Sequence, residues 1–187
     1  MPCASWKLAG GEPQGSKTYK AYLKDAEKQL EEVLAQNPEH AEAQALYASV
    51  NGWLITGMWS GMRRGPRADK ALKKARELAP ENPRVAMHQG VSRLFRPGMF
   101  GGGLDKAEAE LTEALDLFEK EPAEKAWPNG GHAEILAWMG QVMFRKGEMN
   151  KAREYYERAL ELEPNYHWVL QVLLPQLEAA ATKNRGR

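Results

Sequence analysis

Histidine, cysteine and clustered glycine are the residue types in this chain best suited to chemistry, and their spacing argues against most of it. The four histidines stand at His40, His88, His132 and His167. No two of them fall at the short separations by which a helix or loop offers neighbouring ligands to zinc. The single cysteine, Cys3, joins no Cys/His cluster and rules out an intrachain disulfide. The chain has no nucleophile elbow around a serine and no Walker-type loop, and spacing alone singles out no carboxylate pair. Gly101, Gly102 and Gly103 precede a helix start, where free amides can hold an anion. No strand comes before them, so the dinucleotide fingerprint is absent and a flexible turn is the expectation. No catalytic residue, metal ligand or cofactor is therefore expected. The rival is an enzyme using His88 or His132 near the glycine turns, which needs a general acid or base converging on one of them.

Charge patterning points the same way. Arg63, Arg64, Arg67, Lys70, Lys73, Lys74 and Arg76 form a basic run with Asp69 as its lone counter-charge. An acidic run follows in Asp105, Glu108, Glu110, Glu113, Asp116, Glu119, Glu121 and Glu124. Single-stranded nucleic acid is gripped by cations interleaved with aromatic rings, and no ring interrupts the basic run. The expectation is complementary charge between neighbouring helices on a solvated face, with no nucleic-acid partner. The net charge of +1 over 187 residues gives no global field for a polyanion or an anionic membrane. No apolar run approaches the roughly 18 residues needed to span a bilayer.

The elements that position these residues are read from positions 133–166, AEILAWMGQVMFRKGEMNKAREYYERALELEPNY. Two amphipathic helical segments meet there at Lys146 and Gly147. Small residues (Gly140, Ala152, Ala159) stand where helices must approach closely. Leu136, Met139, Met143, Tyr156 and Leu160 fill the space between, and Pro164 ends the unit. This pattern resembles the tetratricopeptide repeat, a helix-turn-helix unit. The resemblance implies an all-α chain: a right-handed α-solenoid of stacked hairpins with a C-terminal capping helix, since one hairpin cannot bury its apolar faces alone.

Weaker copies of the unit lie upstream. Ser16 can cap a helix running to about Gln36, whose Ala26, Leu30, Val33 and Pro38 match second-helix positions. A unit from Ala41 carries Leu46, Tyr47, Val50, Trp53 and Leu54, then Ala68, Leu72, Ala75 and Pro80. Ala48 to Ala68 spans 20 positions where Gly140 to Ala152 spans 12, so eight residues are inserted, around 57–66. The next unit opens at Asn82 and Pro83, a cap followed by proline at the first helical position. Its Gly90 and Ala107 are 17 apart, an insertion of five within 96–103. Asp105 with Glu108 reads as a capping box. Leu170, Leu173 and Leu174 suit a terminal covering helix, with Pro175 expected to interrupt it. The expected organisation is a flexible segment over 1–16, a repeat domain over 17–182 and a frayed basic tail over 183–187. Cys3 followed by small residues also resembles the start of a mature lipoprotein. The compartment stays open: cytoplasmic as written, periplasmic or lipid-anchored if a signal segment was removed before Cys3.

First helices of such hairpins line the concave surface. The repeat frame turns Trp53, Arg84, Met87, His88, Phe95, Trp138, Gln141, Phe144, Arg145 and Trp168 toward it. Aromatic side chains bury much area for little lost rotamer freedom, and methionine adapts to varied shapes. The expected function is a non-enzymatic module holding a protein or peptide in this groove. Trp53, His88, Phe95, Trp138 and Trp168 would anchor the partner, and Arg84, Gln141 and Arg145 would orient it. Replacing Trp138 by alanine should then weaken binding and leave the helices intact. Glu134 and Trp138 occupy the slots where some relatives carry a cationic clamp for a C-terminal carboxylate, so that mode is not expected. Three alternatives remain. Met58, Trp59, Met62, Met99 and Phe100 of the inserts could fold over and fill the groove. The inserts could lid a cavity for an elongated apolar small molecule, as in a periplasmic solute-uptake partner. The outer charged faces could dock proteins in a purely structural adaptor.

Overall fold

The computed structural model describes residues 15–121 and 131–185. Helix α1 (Lys17–Gln36) starts where the Ser16 hydroxyl accepts the Tyr19 amide at 3.0 Å. Helix α2 (Ala41–Trp53) is capped by His40, whose Nδ1 accepts the Ala43 amide at 3.3 Å. Asn82 accepts the Arg84 and Val85 amides and starts α4 (Pro83–Phe95), with Pro83 where its missing N–H costs nothing. The remaining elements are α3 (Met58–Leu78), a 3₁₀ turn at Gly98–Phe100, α5 (Leu104–Glu119), α6 (His132–Lys146), α7 (Met149–Leu162) and α8 (Leu174–Arg185). No strand occurs among the described residues. The heaviest packing lies within α2/α3, α4/α5 and α6/α7, and neighbouring hairpins then stack. The molecule is the expected right-handed α-solenoid, with α1 at one end and the α8 segment covering the other.

A close approach at a glycine marks two of these hairpins. Gly140 of α6 faces Tyr156 of α7, and a Cβ there would clash with the tyrosine ring. Gly90 of α4 faces Leu111 of α5, whose Cγ would lie 2.6 Å from an added Cβ. Tyr156 and Leu111 are fully buried, so neither can swing away.

Several expectations are corrected. The eight-residue insertion is mostly helix rather than loop: α3 begins at Met58, about two turns ahead of the usual start. Its inner face, with Ala71, Leu72 and Ala75, packs against α2, and Arg64 donates to Glu27 of α1 at 2.5 Å and to Asn51 of α2 at 2.8 Å. Pro66 is tolerated because it sits on the exposed side, where the carbonyl it leaves unpaired can be hydrated. Asp105 and Glu108 form no capping box. Helix α5 starts from Gly103 without a side-chain cap, and both carboxylates turn to Lys146 of α6, at 2.6 and 2.5 Å. Pro175 interrupts nothing. A π turn over Val169–Leu173, in which the Leu174 amide bonds back to the Val169 carbonyl, shifts the hydrogen-bond register just before the proline. The helix continues to Arg185, through residues expected as tail. Cys3 and most of the 121–131 connection lie outside the described residues.

Gly140→Ala is expected to lower the stability of the chain by about 1–3 kcal/mol through overpacking against Tyr156. Urea unfolding measures it, and an unchanged midpoint would show that the two helices are not in the close contact described.

Candidate functional site

Trp138 lies midway along α6 and is 6% exposed. Three rings enclose it. Trp53, the last residue of α2, stacks on it at 6.5 Å between centroids and 14° between planes. Phe95, the last residue of α4, meets it edge-on at 5.8 Å and 89°. Trp168 of the terminal segment tilts against it at 4.5 Å. The Arg145 guanidinium sits over the Phe95 ring at 4.6 Å and donates to the Leu94 carbonyl at 3.3 Å. Phe144 is half-buried against the hydrophobic core of the C-terminal hairpins. Trp53, Phe95, Trp138, Arg145 and Trp168 thus stand together on one flank. Phe95 is 40% exposed and Arg145 also reaches solvent.

The other four predicted residues stand elsewhere. Met87 is buried in the core. His88 is buried with Nδ1 2.9 Å from the Ser49 hydroxyl, linking α4 to α2. Gln141 is buried and its amide nitrogen donates to the Tyr156 hydroxyl at 3.0 Å. Arg84 is held by both Glu121 oxygens, at 2.9 and 3.2 Å. His88 and Met87 therefore present no open anchoring surface, and Gln141 and Arg84 are already engaged. Trp138 itself is a floor to the cluster, so removing it would open a cavity and cost stability along with any binding.

Sequence reasoning missed Tyr166, which stands edge-on to Trp168 at 6.2 Å. Burial, reinforced by Glu134 and Glu163, pushes its hydroxyl pKa well above the usual value. Its place just after the Pro164 turn was the available signal. The inserts do not fill or lid this flank: Met58, Trp59, Met62, Met99 and Phe100 are all exposed. The carrier expectation loses its lids for that reason. A cleft of about 350 Å³ elsewhere is lined by Arg76, Gln89, Arg93, Lys106, Glu110 and Glu113, a charged wall unsuited to an apolar ligand.

The glycine turn is closed on itself. The amides of Gly101, Gly102 and Gly103 donate to the carbonyls of Gly98, Pro97 and Arg93, leaving no anion cradle. The two charge runs meet through Arg76 and Glu113, while Arg64 finds its carboxylate on α1 and Glu121 of the acidic run pairs with Arg84 of α4. Among the described residues no His/Cys/Asp/Glu group could hold a metal ion, and no helix is long and apolar enough to cross a membrane.

Comparison with known families matches one stretch, positions 133–166, to the tetratricopeptide repeat. Residues 133–166 are a tetratricopeptide repeat. A thermophilic tetratricopeptide-repeat protein of Thermus thermophilus shares the fold, with a TM-score of 0.55 and 19% identity over 83% of this chain and 79% of that one. Among curated proteins, the mouse protein O-mannosyl-transferase TMTC1 is 30% identical over 150 residues, 76% of this chain. Photosystem I assembly protein Ycf3 of Acaryochloris marina (strain MBIC 11017) is 37% identical over 76 residues, 39% of this chain. The chain spans 13% of the transferase and 41% of the assembly protein.

Burial pulls the His88 imidazole down from 6.5 to about 4. Between those values the unfolded chain binds the proton and the folded chain does not. Stability therefore rises with pH across the window and is lost as pH falls from 6.5 toward 4, by up to about 1.4 kcal/mol per pH unit for this group. Urea unfolding across that window is expected to show the loss, and His88→Gln a flatter dependence. Equal slopes in the two chains would place the titration on other groups.

Proposed function

We propose that the chain is a non-catalytic scaffold that holds a protein partner through the rim of the aromatic cluster. The fold itself supports a protein-interaction scaffold. The finer reading places an apolar side chain of a bound peptide against Phe95 and the edges of Trp53 and Trp168. Trp138 is the floor beneath them, and Arg145 offers its guanidinium to a backbone carbonyl or carboxylate beside the contact. The observation that carries this reading is the convergence of rings from α2, α4, α6 and the terminal segment, with Phe95 and Arg145 still open to solvent. Rigid, partly exposed aromatic clusters next to arginine have the composition of binding hot spots. The assembly role in the name of the Ycf3 relative agrees with a protein that brings others together. The transferase activity in the name of the TMTC1 relative is not carried over, because the similarity spans a small part of that protein.

Peptides selected from a random display library on the purified chain, then measured by calorimetry, test the reading. Phe95→Ala and Arg145→Ala are each expected to weaken such peptides by roughly ten-fold with unchanged circular dichroism. Peptides that bind both variants as tightly as the parent would move the site off this rim.

A further inference from the structure

The two insertions, absent from the plain repeat, build something on the edge of the solenoid. Both lie at the turn between the first and second helix of a unit, and in stacked hairpins such turns line up along one edge. The third turn, at Gly147 and Glu148, is minimal, so only the first two units project there. Their tips are apolar and open: Trp59 is 82% exposed and Met99 85%, with Met58, Met62 and Phe100 also exposed.

These tips are held rather than loose. The Ser60 hydroxyl accepts the amides of Thr56 and Gly57 at 3.0 Å each and donates to the Gly57 carbonyl, which pins the start of α3. The 98–100 turn is closed by its own backbone bonds, and Arg93 donates to the Gly101 carbonyl at 3.0 Å. Gly101 and Gly103 take φ of +85° and +140°, conformations that a side chain would strain. An ion pair between Arg96 and Asp69 ties this turn to α3. Asp69 follows Met58 and Met62 on one stripe of that helix, about 10 Å beyond Met62. The two apolar tips therefore sit on the same side of α3.

A cationic stripe borders them. Arg63, Arg67, Lys70 and Lys74 recur at helical spacing on the adjoining exposed face of α3. Among the described residues, no carboxylate lies within ion-pair distance of any of the four. The carboxylates beside the stripe are already paired, Asp69 with Arg96, Glu27 with Arg64 and Glu77 with Lys73. The net charge of +1 thus hides a local concentration of positive charge beside exposed tryptophan, methionine and phenylalanine.

We propose that this edge docks on an anionic lipid bilayer surface. Trp59, Met58, Met62, Met99 and Phe100 enter the headgroup–acyl boundary, and the α3 stripe faces the phosphates. Tryptophan and phenylalanine favour that boundary, and each lysine or arginine near an anionic surface adds attraction that salt screens. A protein partner would need to bring its own anionic rim and apolar pocket, for which nothing in the chain argues; an anionic bilayer supplies both.

Co-sedimentation of the full chain with vesicles of phosphatidylcholine alone, or mixed with phosphatidylglycerol, tests the proposal at low and high salt. The expected result is binding to the mixed vesicles at low salt, roughly ten-fold weaker on neutral vesicles and at high salt. The double variant Trp59→Ser/Phe100→Ser and the triple variant Arg63→Glu/Arg67→Glu/Lys70→Glu are each expected to lose at least about ten-fold. Circular dichroism checks that both remain folded, and Lys151→Glu/Arg153→Glu/Arg158→Glu on α7, with the same change of six charges, controls for charge alone. Equal sedimentation with both vesicle types overturns the proposal, as does full retention of binding by the Trp59/Phe100 variant. A parent that ignores vesicles but dimerises in analytical ultracentrifugation, reversed by Trp59→Ser, assigns the patch to a second copy of the chain and overturns it too. None of these readouts uses Phe95 or Arg145, so they stand apart from the peptide site.

Discussion

Trp138 is where the chain closes on itself. Rings from the end of α2, the end of α4 and the segment after α7 meet there, so residues far apart in sequence share one small volume. Helical hairpins are otherwise coupled mainly to their immediate neighbours. A contact from the α2/α3 hairpin to the α6/α7 hairpin, two along the stack, is a longer-range constraint. It also decides the character of the inner flank. The first-helix face is a floor of packed rings with a partly exposed rim.

Behind the floor lie polar groups that look like ligand contacts in the sequence and act as internal ties. His88 reaches Ser49, Gln141 reaches Tyr156, and Arg84 reaches Glu121. The first two join one helix to another and the third ties α4 to the stretch of chain just after α5, each with a buried or half-buried bond, where an unmet partner would cost about 1–3 kcal/mol. Their burial keeps the stack in one register, which the ring cluster requires if Trp53 is to arrive at Trp138.

The repeat was legible because its signature is steric. Gly140 opposite Tyr156 and Gly90 opposite Leu111 are spacings that only a close helix pair explains. The cluster of Trp53, Phe95, Trp138 and Trp168 was legible for the same reason, since helical period assigns residues to a face. Period does not tell how deep on that face a residue lies, and so Met87 and His88 were placed with the rim. The α3 extension was obscured by Gly57, Gly61, Gly65 and Pro66, residues that locally favour a turn. The Ser60 hydroxyl at the helix start and the Arg64–Glu27 pair hold the extension against that preference. Asp105 and Glu108 carry a valid capping pattern, but Lys146 on α6 outcompetes the backbone for both carboxylates. Such tertiary competition has no local trace in the chain.

The most direct test of the closure is a double-mutant cycle between Trp53 and Trp138, read by urea unfolding of the parent, Trp53→Ala, Trp138→Ala and the double variant. If the two rings stack across the units, the single losses do not add, and the coupling is about 0.5–1.5 kcal/mol. Additivity to within about 0.3 kcal/mol would mean that the rings do not meet and that the inner flank is open.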